Sequence, residues 1–324
     1  MHQAVWRLLV AGKWLSLRGL QQCLVMLWCV LPVAGVCSEP QQARAIVIFP
    51  EMRQPYARVF EEIILGIDTS FSGRLELFAV GDNDSELGPI TSGPPPDLLI
   101  ALGNRGYELA KRASNGGKIP VVLAGVSGDI DASLPGISLQ PDPAVVFDRL
   151  RLLAPEVKTV YVLVRRNNGD HYKKLVREAG ASDQLAVELH ECNNFRECAE
   201  TVRIIKTHKL NRRSALWLAE PEVIDNSILD LILEGAWRQQ FVVVSSNPAH
   251  VRRGVLFALY PNNVKMGETL GAIANEVVSD PAAGNGLSPV TDVNLAVNMR
   301  TASHIGLIFD RQVRSQIHLT FPAD

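Results

Sequence analysis

The stretch Phe241–Val278, FVVVSSNPAHVRRGVLFALYPNNVKMGETLGAIANEVV, decides the fold. Its first apolar run ends at the polar cluster Ser245–Pro248, and its second run, Gly254–Tyr260, ends at Pro261-Asn262-Asn263. A segment with apolar residues at helical spacing follows. Strands that stop at small or amide side chains place polar groups at the carboxyl edge of a sheet, where open α/β folds bind small ligands.

Strand and helix patterns alternate through the rest of the chain. Arg44–Pro50 and Thr159–Val164 are nearly unbroken apolar runs, which are typical of parallel strands covered on both faces. Amphipathic segments such as Asp142–Leu153 separate these runs. The alternation predicts an α/β fold of two doubly wound, Rossmann-like lobes, which could enclose a small solute in a central cleft by hinge closure.

Length and charge limit the possible functions. A chain of 324 residues suits two domains of ordinary size. The formal net charge is -2, and the first 38 residues carry three basic side chains and no acidic one, so the remainder carries -5. A mildly acidic chain without a basic tract is a poor nucleic-acid binder, and that class is excluded.

The first 38 residues have the pattern of a secretory signal peptide. Three basic residues precede the apolar run Cys23–Leu31, and small residues follow at Ala34–Ser38. We therefore expect export and a periplasmic location. Two alternatives remain open, namely a permanent membrane anchor and a lipid-modified Cys37, although Val36 fits a lipidation motif poorly.

A close cysteine pair lies in the part of the chain that would follow a cleaved signal. Cys192 and Cys198 are six positions apart, and an oxidising compartment favours a disulfide between them. Two free thiols are an alternative. A metal site that includes His190 is a weaker one, because no second ligand pair with zinc spacing is present.

The sequence carries no recognisable catalytic motif. There is no Gly-x-Ser-x-Gly, no Walker-type loop and no His-Glu-x-x-His, so we predict neither an enzyme nor a bound metal or cofactor. Polar residues recur instead at strand ends, where each could also be a helix cap or turn former: Asn104, Ser127, Arg165, Asn167, Asp170, Glu220, Ser245, Ser246 and Asn262. Tyr260 could supply a stacking contact or pack on Pro261.

Several segments resemble the periplasmic solute-binding proteins of ABC transporters, and in particular the group that includes tryptophan- and tyrosine-binding lipoproteins. The similar segments are Pro96–Gly103 (PDLLIALG), Ile119–Val122 (IPVV), Leu152–Lys158 (LLAPEVK), Gly254–Tyr260 with Gly267–Leu270, and Asn294–Leu307 (NLAVNMRTASHIGL). The last segment is the most specific. The stretch after the fourth strand, Val126–Asp131, departs from the group, which puts an aromatic amino acid ligand in question.

The resemblance implies a type I periplasmic-binding-protein fold with three hinge segments. The first lobe would be 39–156 plus about 247–288, including Gly254–Tyr260, and the second 157–246 plus about 289–324. The ligand-binding positions carried over to the cleft are Asn104, Ser127, Asn167, Glu220, Ser246 and Tyr260.

The function this implies is an exported, monomeric solute-binding protein. It would capture a small molecule, an amino acid or similar, and deliver it to the permease and ATPase of an ABC importer. The alternative is a periplasmic ligand-sensing or accessory module of a signalling or outer-membrane uptake system without its own permease.

Overall fold

The computed structural model describes residues 42–54, 56–81, 90, 93–126, 130–166, 170–284 and 286–322. The predicted signal segment with Cys37 lies outside this part of the chain, and so do the candidate site residues Ser127 and Asn167. Within the described ranges, no helix has the length and apolar character needed to cross a membrane.

The strands follow the apolar runs of the sequence. In chain order they are β1 (Arg44–Pro50), β2 (Arg74–Val80), β3 (Leu98–Leu102), β4 (Val121–Val126), β5 (Gly136–Pro141), β6 (Thr159–Val164), β7 (Ala186–Glu191), β8 (Ser214–Leu218), β9 (Val242–Ser245), β10 (Phe257–Pro261), β11 (Leu287–Val290), β12 (Val293–Asn298) and β13 (Leu319–Phe321).

Helices alternate with these strands, as expected for a doubly wound fold. They are α1 (Tyr56–Ser70), α2 (Gly103–Ala113), α3 (Pro143–Leu153), α4 (Asp170–Ser182), α5 (Phe195–His208), α6 (Asn226–Gln239), α7 (Pro248–Arg253), α8 (Asn263–Ser279), α9 (Met299–His304) and α10 (Arg311–Arg314).

The strands form two sheets, one in each lobe. The first has the order β11-β5-β4-β3-β1-β2 and the second the order β13-β12-β10-β9-β8-β6-β7. Neighbouring strands are parallel in both sheets except for the antiparallel pair β10–β12. The prediction of two α/β lobes built on parallel sheets is confirmed.

Apolar residues cover both faces of each sheet. Every residue of β3 is fully buried, with Leu98, Ile100 and Leu102 in one core cluster and Leu99 and Ala101 in the cluster on the other face. Burial on both faces explains why β3 reads as a continuous apolar run, with no alternation of apolar and polar residues.

One face of the first sheet is covered by helices α1 and α8, which make a close contact with each other. A Cβ atom on Gly66 would lie 2.1 Å from the carbonyl oxygen of Val264, and one on Gly267 would lie 2.1 Å from the carbonyl oxygen of Ile63. Because no real Cβ approaches backbone so closely, glycine at both positions lets the two helix backbones pack against each other.

The chain passes between the two sheets three times. The passages are Pro141–Pro143 between β5 and α3, Pro261–Asn263 between β10 and α8, and Val290–Val293 between β11 and β12. The backbone nitrogen of Asp142 donates to the carbonyl of Val290 at 2.9 Å, and that of Asn262 donates to the carbonyl of Asp292 at 2.9 Å. Three neighbouring segments therefore form the hinge that the resemblance implies.

Two of the predicted lobe assignments are corrected by the structure. Strand β10, which overlaps Gly254–Tyr260, pairs with β9 and β12 and so belongs to the second sheet. Helix α3 packs Phe147 and Leu150 into the core of the second lobe, where Phe147 meets Trp217 edge-on at 5.7 Å. Apolar spacing marks a strand or a helix, but it does not specify the sheet on which that element packs.

The predicted disulfide is present. Cys192 and Cys198 are joined, both are fully buried, and their Cα atoms are 5.1 Å apart. The bond links the end of β7 to the start of α5. The side chain of Asn194 caps the amino end of the same helix. Among the described residues, no group of histidine, cysteine, aspartate and glutamate side chains could hold a metal ion.

Replacing Cys192 and Cys198 together by alanine is expected to lower the free energy of unfolding by about 2 kcal/mol. The reason is that a short cross-linked loop restricts the unfolded chain. Urea denaturation measures the change, and the wild-type protein unfolded in the presence of a reductant is the matched control. Superimposable curves for the oxidised wild type, the reduced wild type and the double variant would contradict the prediction.

Candidate functional site

A small cavity lies where the carboxyl ends of β6, β8 and β9 meet the first lobe. Its volume is about 110 Å³. The residues that follow these three adjacent strands of the second lobe form most of the wall: Arg165, Ala219, Glu220, Pro221, Glu222 and Ser246. Leu139 and Gln140 of β5 in the first lobe and Pro261 at the end of β10 complete it. This cleft cavity occupies the edge where open α/β folds bind ligands.

A charged pair forms the floor of the cleft cavity. The Nε of Arg165 lies 3.1 Å from one carboxylate oxygen of Glu220, and the backbone nitrogen of Arg165 donates to the other at 3.0 Å. The Glu220 side chain is only 7% exposed, whereas that of Arg165 is 35% exposed. A buried carboxylate is costly without a partner, and the two contacts with Arg165 offset part of that cost and orient Glu220.

Besides the Nε of Arg165, which contacts Glu220 as an ion pair without a hydrogen bond, one buried polar group of the cleft cavity lacks a hydrogen-bond partner among the described residues, the hydroxyl of Ser246. Its Oγ is buried and makes no hydrogen bond to any residue in the described part of the chain. A hydroxyl can both donate and accept, and a buried one without a partner is unfavourable. Ser246 is therefore placed to bond a molecule that enters the cavity.

A buried tyrosine ties the second lobe to the hinge beside the cleft cavity. The hydroxyl of Tyr172 on α4 donates to the carbonyl of Pro141 at 3.0 Å, and its ring packs in the core of the second lobe. Burial raises the pKa of Tyr172 well above its ordinary value, and the nearby charges of Glu220 and Asp142 raise it further. Tyr172 thus remains a neutral donor at any physiological pH.

The structure brings together two of the six predicted ligand-binding residues, Glu220 and Ser246. Asn104 is exposed in the first turn of α2, at the end of a strand of the other sheet. Tyr260 is half-buried against the core of the second lobe, and burial raises its pKa, with the charge of Glu62 as the second cause. Neither Asn104 nor Tyr260 lines the cleft cavity.

Three polar residues of the cleft cavity are absent from the predicted ligand set, namely Gln140, Arg165 and the exposed Glu222. Arg165 follows β6 and carries the polar strand-end signal, so the sequence could have placed it in the set. Gln140 lies in β5, whose sequence GISLQP is short and only partly apolar. No pattern marks β5 as a strand, and Gln140 could not have been found from the sequence.

A serine–histidine contact lies next to the cleft cavity but is structural. Ser245 Oγ lies 3.0 Å from Nδ1 of His250 and accepts a hydrogen bond from the backbone nitrogen of Asn247 at 3.1 Å. Ser245 is 1% exposed, so no substrate could reach its hydroxyl. The contact braces the turn from β9 into α7, whose N-cap is Asn247.

Burial lowers the pKa of His250 from 6.5 to about 4, and the positive charge of Arg253 adds to the effect. The folded protein therefore keeps His250 neutral, while the unfolded chain takes up a proton as the pH falls below 6.5. Between pH 6.5 and about 4 the unfolded state binds more protons, so the stability present above pH 6.5 is progressively lost.

Substituting His250→Gln is expected to remove this part of the acid sensitivity. From pH 7 to pH 4 the wild type should lose about 2 kcal/mol more free energy of unfolding than the variant, a value reduced for the partial solvent access of the ring. Urea unfolding at several pH values measures the difference, and His208→Gln on the exposed face of α5 is the control. Parallel pH profiles for the wild type and His250→Gln would show that His250 contributes nothing.

The fold has solved counterparts. The ABC domain in complex with L-Trp from Streptococcus pneumoniae is 16% identical, has a TM-score of 0.55 and covers 86% of this chain and 100% of its own. A ligand-free, open substrate-binding protein with adhesive properties from Clostridium difficile is 14% identical, with a TM-score of 0.59 and coverage of 86% and 99%. A conserved domain protein from Vibrio cholerae is 14% identical, with a TM-score of 0.52 and the same coverage.

These similarities show the fold. The chain has the type I periplasmic-binding-protein fold, which is the architecture that the resemblance implies. No protein-family model matches the chain, and no curated protein sequence matches it.

Proposed function

We propose that this chain is an exported solute-binding protein that captures a small molecule between its two lobes and delivers it to an ABC importer. The observation that carries the proposal is the cleft cavity with the unpartnered hydroxyl of Ser246, positioned between two lobes that a three-segment hinge connects. The fold shared with the tryptophan-bound and substrate-binding proteins above supports it.

The charges of the cleft cavity favour an amino acid or a similar small molecule with an amino group. Arg165 and Glu220 compensate each other, and Glu222 at the rim adds a second carboxylate. The side chains that line the cavity therefore carry one more negative than positive charge, and this excess complements a protonated amine. Its volume of about 110 Å³ is below the range of roughly 300–1,000 Å³ typical for drug-sized ligands, so we expect a small ligand.

Ligand capture follows from the geometry without any chemical step. Leu139 and Gln140 belong to the first lobe, and Arg165, Glu220 and Ser246 belong to the second. A molecule in the cavity therefore contacts both lobes at once. Such a molecule favours the closed arrangement over the open one and shifts the population toward it. The closed, loaded form is the species that an ABC permease would recognise.

A thermal-shift screen of the protein against amino acids, nucleosides, sugars and short peptides tests ligand capture. A ligand at a hundred times its dissociation constant should stabilise the folded state by about 2.7 kcal/mol. We expect an amino acid or a related amine to give the shift. The variants Ser246→Ala and Glu220→Gln should weaken binding at least tenfold by calorimetry, because each removes a polar contact inside a closed cavity.

Ser182→Ala, an exposed serine at the end of α4, is the matched control and should bind the ligand as the wild type does. The absence of a melting shift with any small molecule would remove the basis for the proposal. Binding that survives both cleft substitutions would place the ligand site elsewhere.

Export is tested separately by producing the full chain in a Gram-negative host and fractionating the cells. We expect the protein in the periplasmic fraction, with a mass that corresponds to loss of about the first 38 residues. Replacing the apolar residues Leu24 and Leu27 by aspartate should retain the chain in the cytoplasm at full length. Full-length protein in the cytoplasmic fraction of the wild type would contradict export.

A further inference from the structure

A second and larger cavity lies at the far end of the second lobe. It has a volume of about 780 Å³ and sits at the amino ends of β9 and β10, whose carboxyl ends reach the cleft cavity. We call this cavity the basal pocket. Helices α6, α7 and α9 and strand β13 form its walls, and its chemistry divides into an apolar body and a cationic rim.

The apolar body is built from side chains that converge from distant parts of the sequence. Phe241 immediately precedes β9, Val243 lies in it, Ile305 follows α9, and Phe321 belongs to β13. The volume is within the range of about 300–1,000 Å³ that small-molecule pockets occupy, and such pockets are mostly apolar with a few polar groups.

One wall of the basal pocket is a stacked ring pair. The rings of Trp237 and His304 lie parallel at 3.4 Å between centroids, and Nε2 of His304 lies 2.9 Å from the carbonyl oxygen of Trp237. Because a carbonyl can only accept, Nε2 is the donor, and this bond fixes the orientation of the imidazole. Trp237 is 47% exposed, so it presents a flat apolar surface to whatever enters.

The rim of the basal pocket is cationic. Arg252, Arg253 and Arg300 line the pocket, and no aspartate or glutamate is among its described lining residues. Arg253 is paired with Asp230 at 2.5 Å. Arg252 lies over the ring of Phe321 at 5.6 Å, and neither it nor Arg300 forms an ion pair with a described carboxylate. Two guanidinium groups are therefore available at the mouth of an apolar cavity.

We propose that the basal pocket binds a second ligand, an anion with an apolar body whose head group is a carboxylate or a phosphate. The planar guanidinium forks of Arg252 and Arg300 match both head groups, and the apolar walls accept the body. This site is independent of the ligand in the cleft cavity, because the two lie at opposite ends of the same strands.

The probes that test the proposal are decanoate and decyl phosphate, each titrated calorimetrically into the full-length protein below its micelle concentration. We expect saturable binding with one site per chain. Decyltrimethylammonium, which has the same tail and the opposite charge, should bind at least tenfold more weakly. Binding should change tryptophan fluorescence, and Trp237→Phe should abolish that change.

The double variant Arg252→Gln/Arg300→Gln should weaken decanoate binding at least tenfold. Both side chains are exposed, so the fold should be retained, and far-ultraviolet circular dichroism checks it. The matched control is Arg203→Gln/Arg212→Gln, which removes the same charge from exposed positions outside the pocket and should leave binding unchanged. Ser246→Ala in the cleft should also leave it unchanged, which separates this site from the proposed solute site.

Three results would overturn the proposal. Equal affinity for decanoate and decyltrimethylammonium would show an apolar surface without charge selection. Decanoate binding that is unaffected by the double variant would place the anion elsewhere. Sedimentation with phosphatidylglycerol vesicles, in the absence of saturable binding to monomeric decanoate or decyl phosphate, would indicate a membrane-facing surface rather than a ligand pocket.

Discussion

The hydrogen bonds that hold the three hinge segments side by side are the constraint on which the rest of the molecule depends. Asp142 bonds to Val290 and Asn262 bonds to Asp292 through the backbone, each at 2.9 Å. The side chains of Asp142 and Asn262 also cap the helices that follow, α3 and α8. Any movement of the lobes must therefore occur within a few residues whose backbone and side chains are already engaged, which confines it to a hinge rotation.

Parallel strands explain why this molecule has a cavity at each end of the second sheet. Their carboxyl ends gather at one edge, where Arg165, Glu220 and Ser246 meet the first lobe. Their amino ends gather at the other edge, where helices begin and end and where the antiparallel strand β12 brings in α9. The two cavities differ in polarity because the ion pair of Arg165 and Glu220 lines the first and aromatic side chains line much of the second.

The sequence predicts the elements of this fold better than it predicts their arrangement. The bounds of β1 and β6 match their apolar patterns and those of α3 do so within one residue, because burial on both faces of a strand or on one face of a helix leaves a clear pattern. Strand β5 has no such pattern, since Gly136–Pro141 mixes glycine, serine and glutamine with apolar residues although most of the strand is buried. The sheet to which β10 belongs depends on its pairing with β12, nearly forty residues further along, and no local pattern records that pairing.

The neighbouring serines at the end of β9 show how far the candidate site could be inferred. Successive side chains of a strand point to opposite faces, so the sequence predicts that Ser245 and Ser246 differ in role. The alternation alone does not say which of them faces the cleft, and Ser246 entered the predicted ligand set only through the resemblance. The start of α7 decides this, because Asn247 caps the helix and His250 then lies one turn on, within 3.0 Å of Ser245. Ser245 is thereby satisfied inside the lobe, whereas the buried hydroxyl of Ser246 has no hydrogen-bond partner among the described residues and is free to bond an incoming molecule.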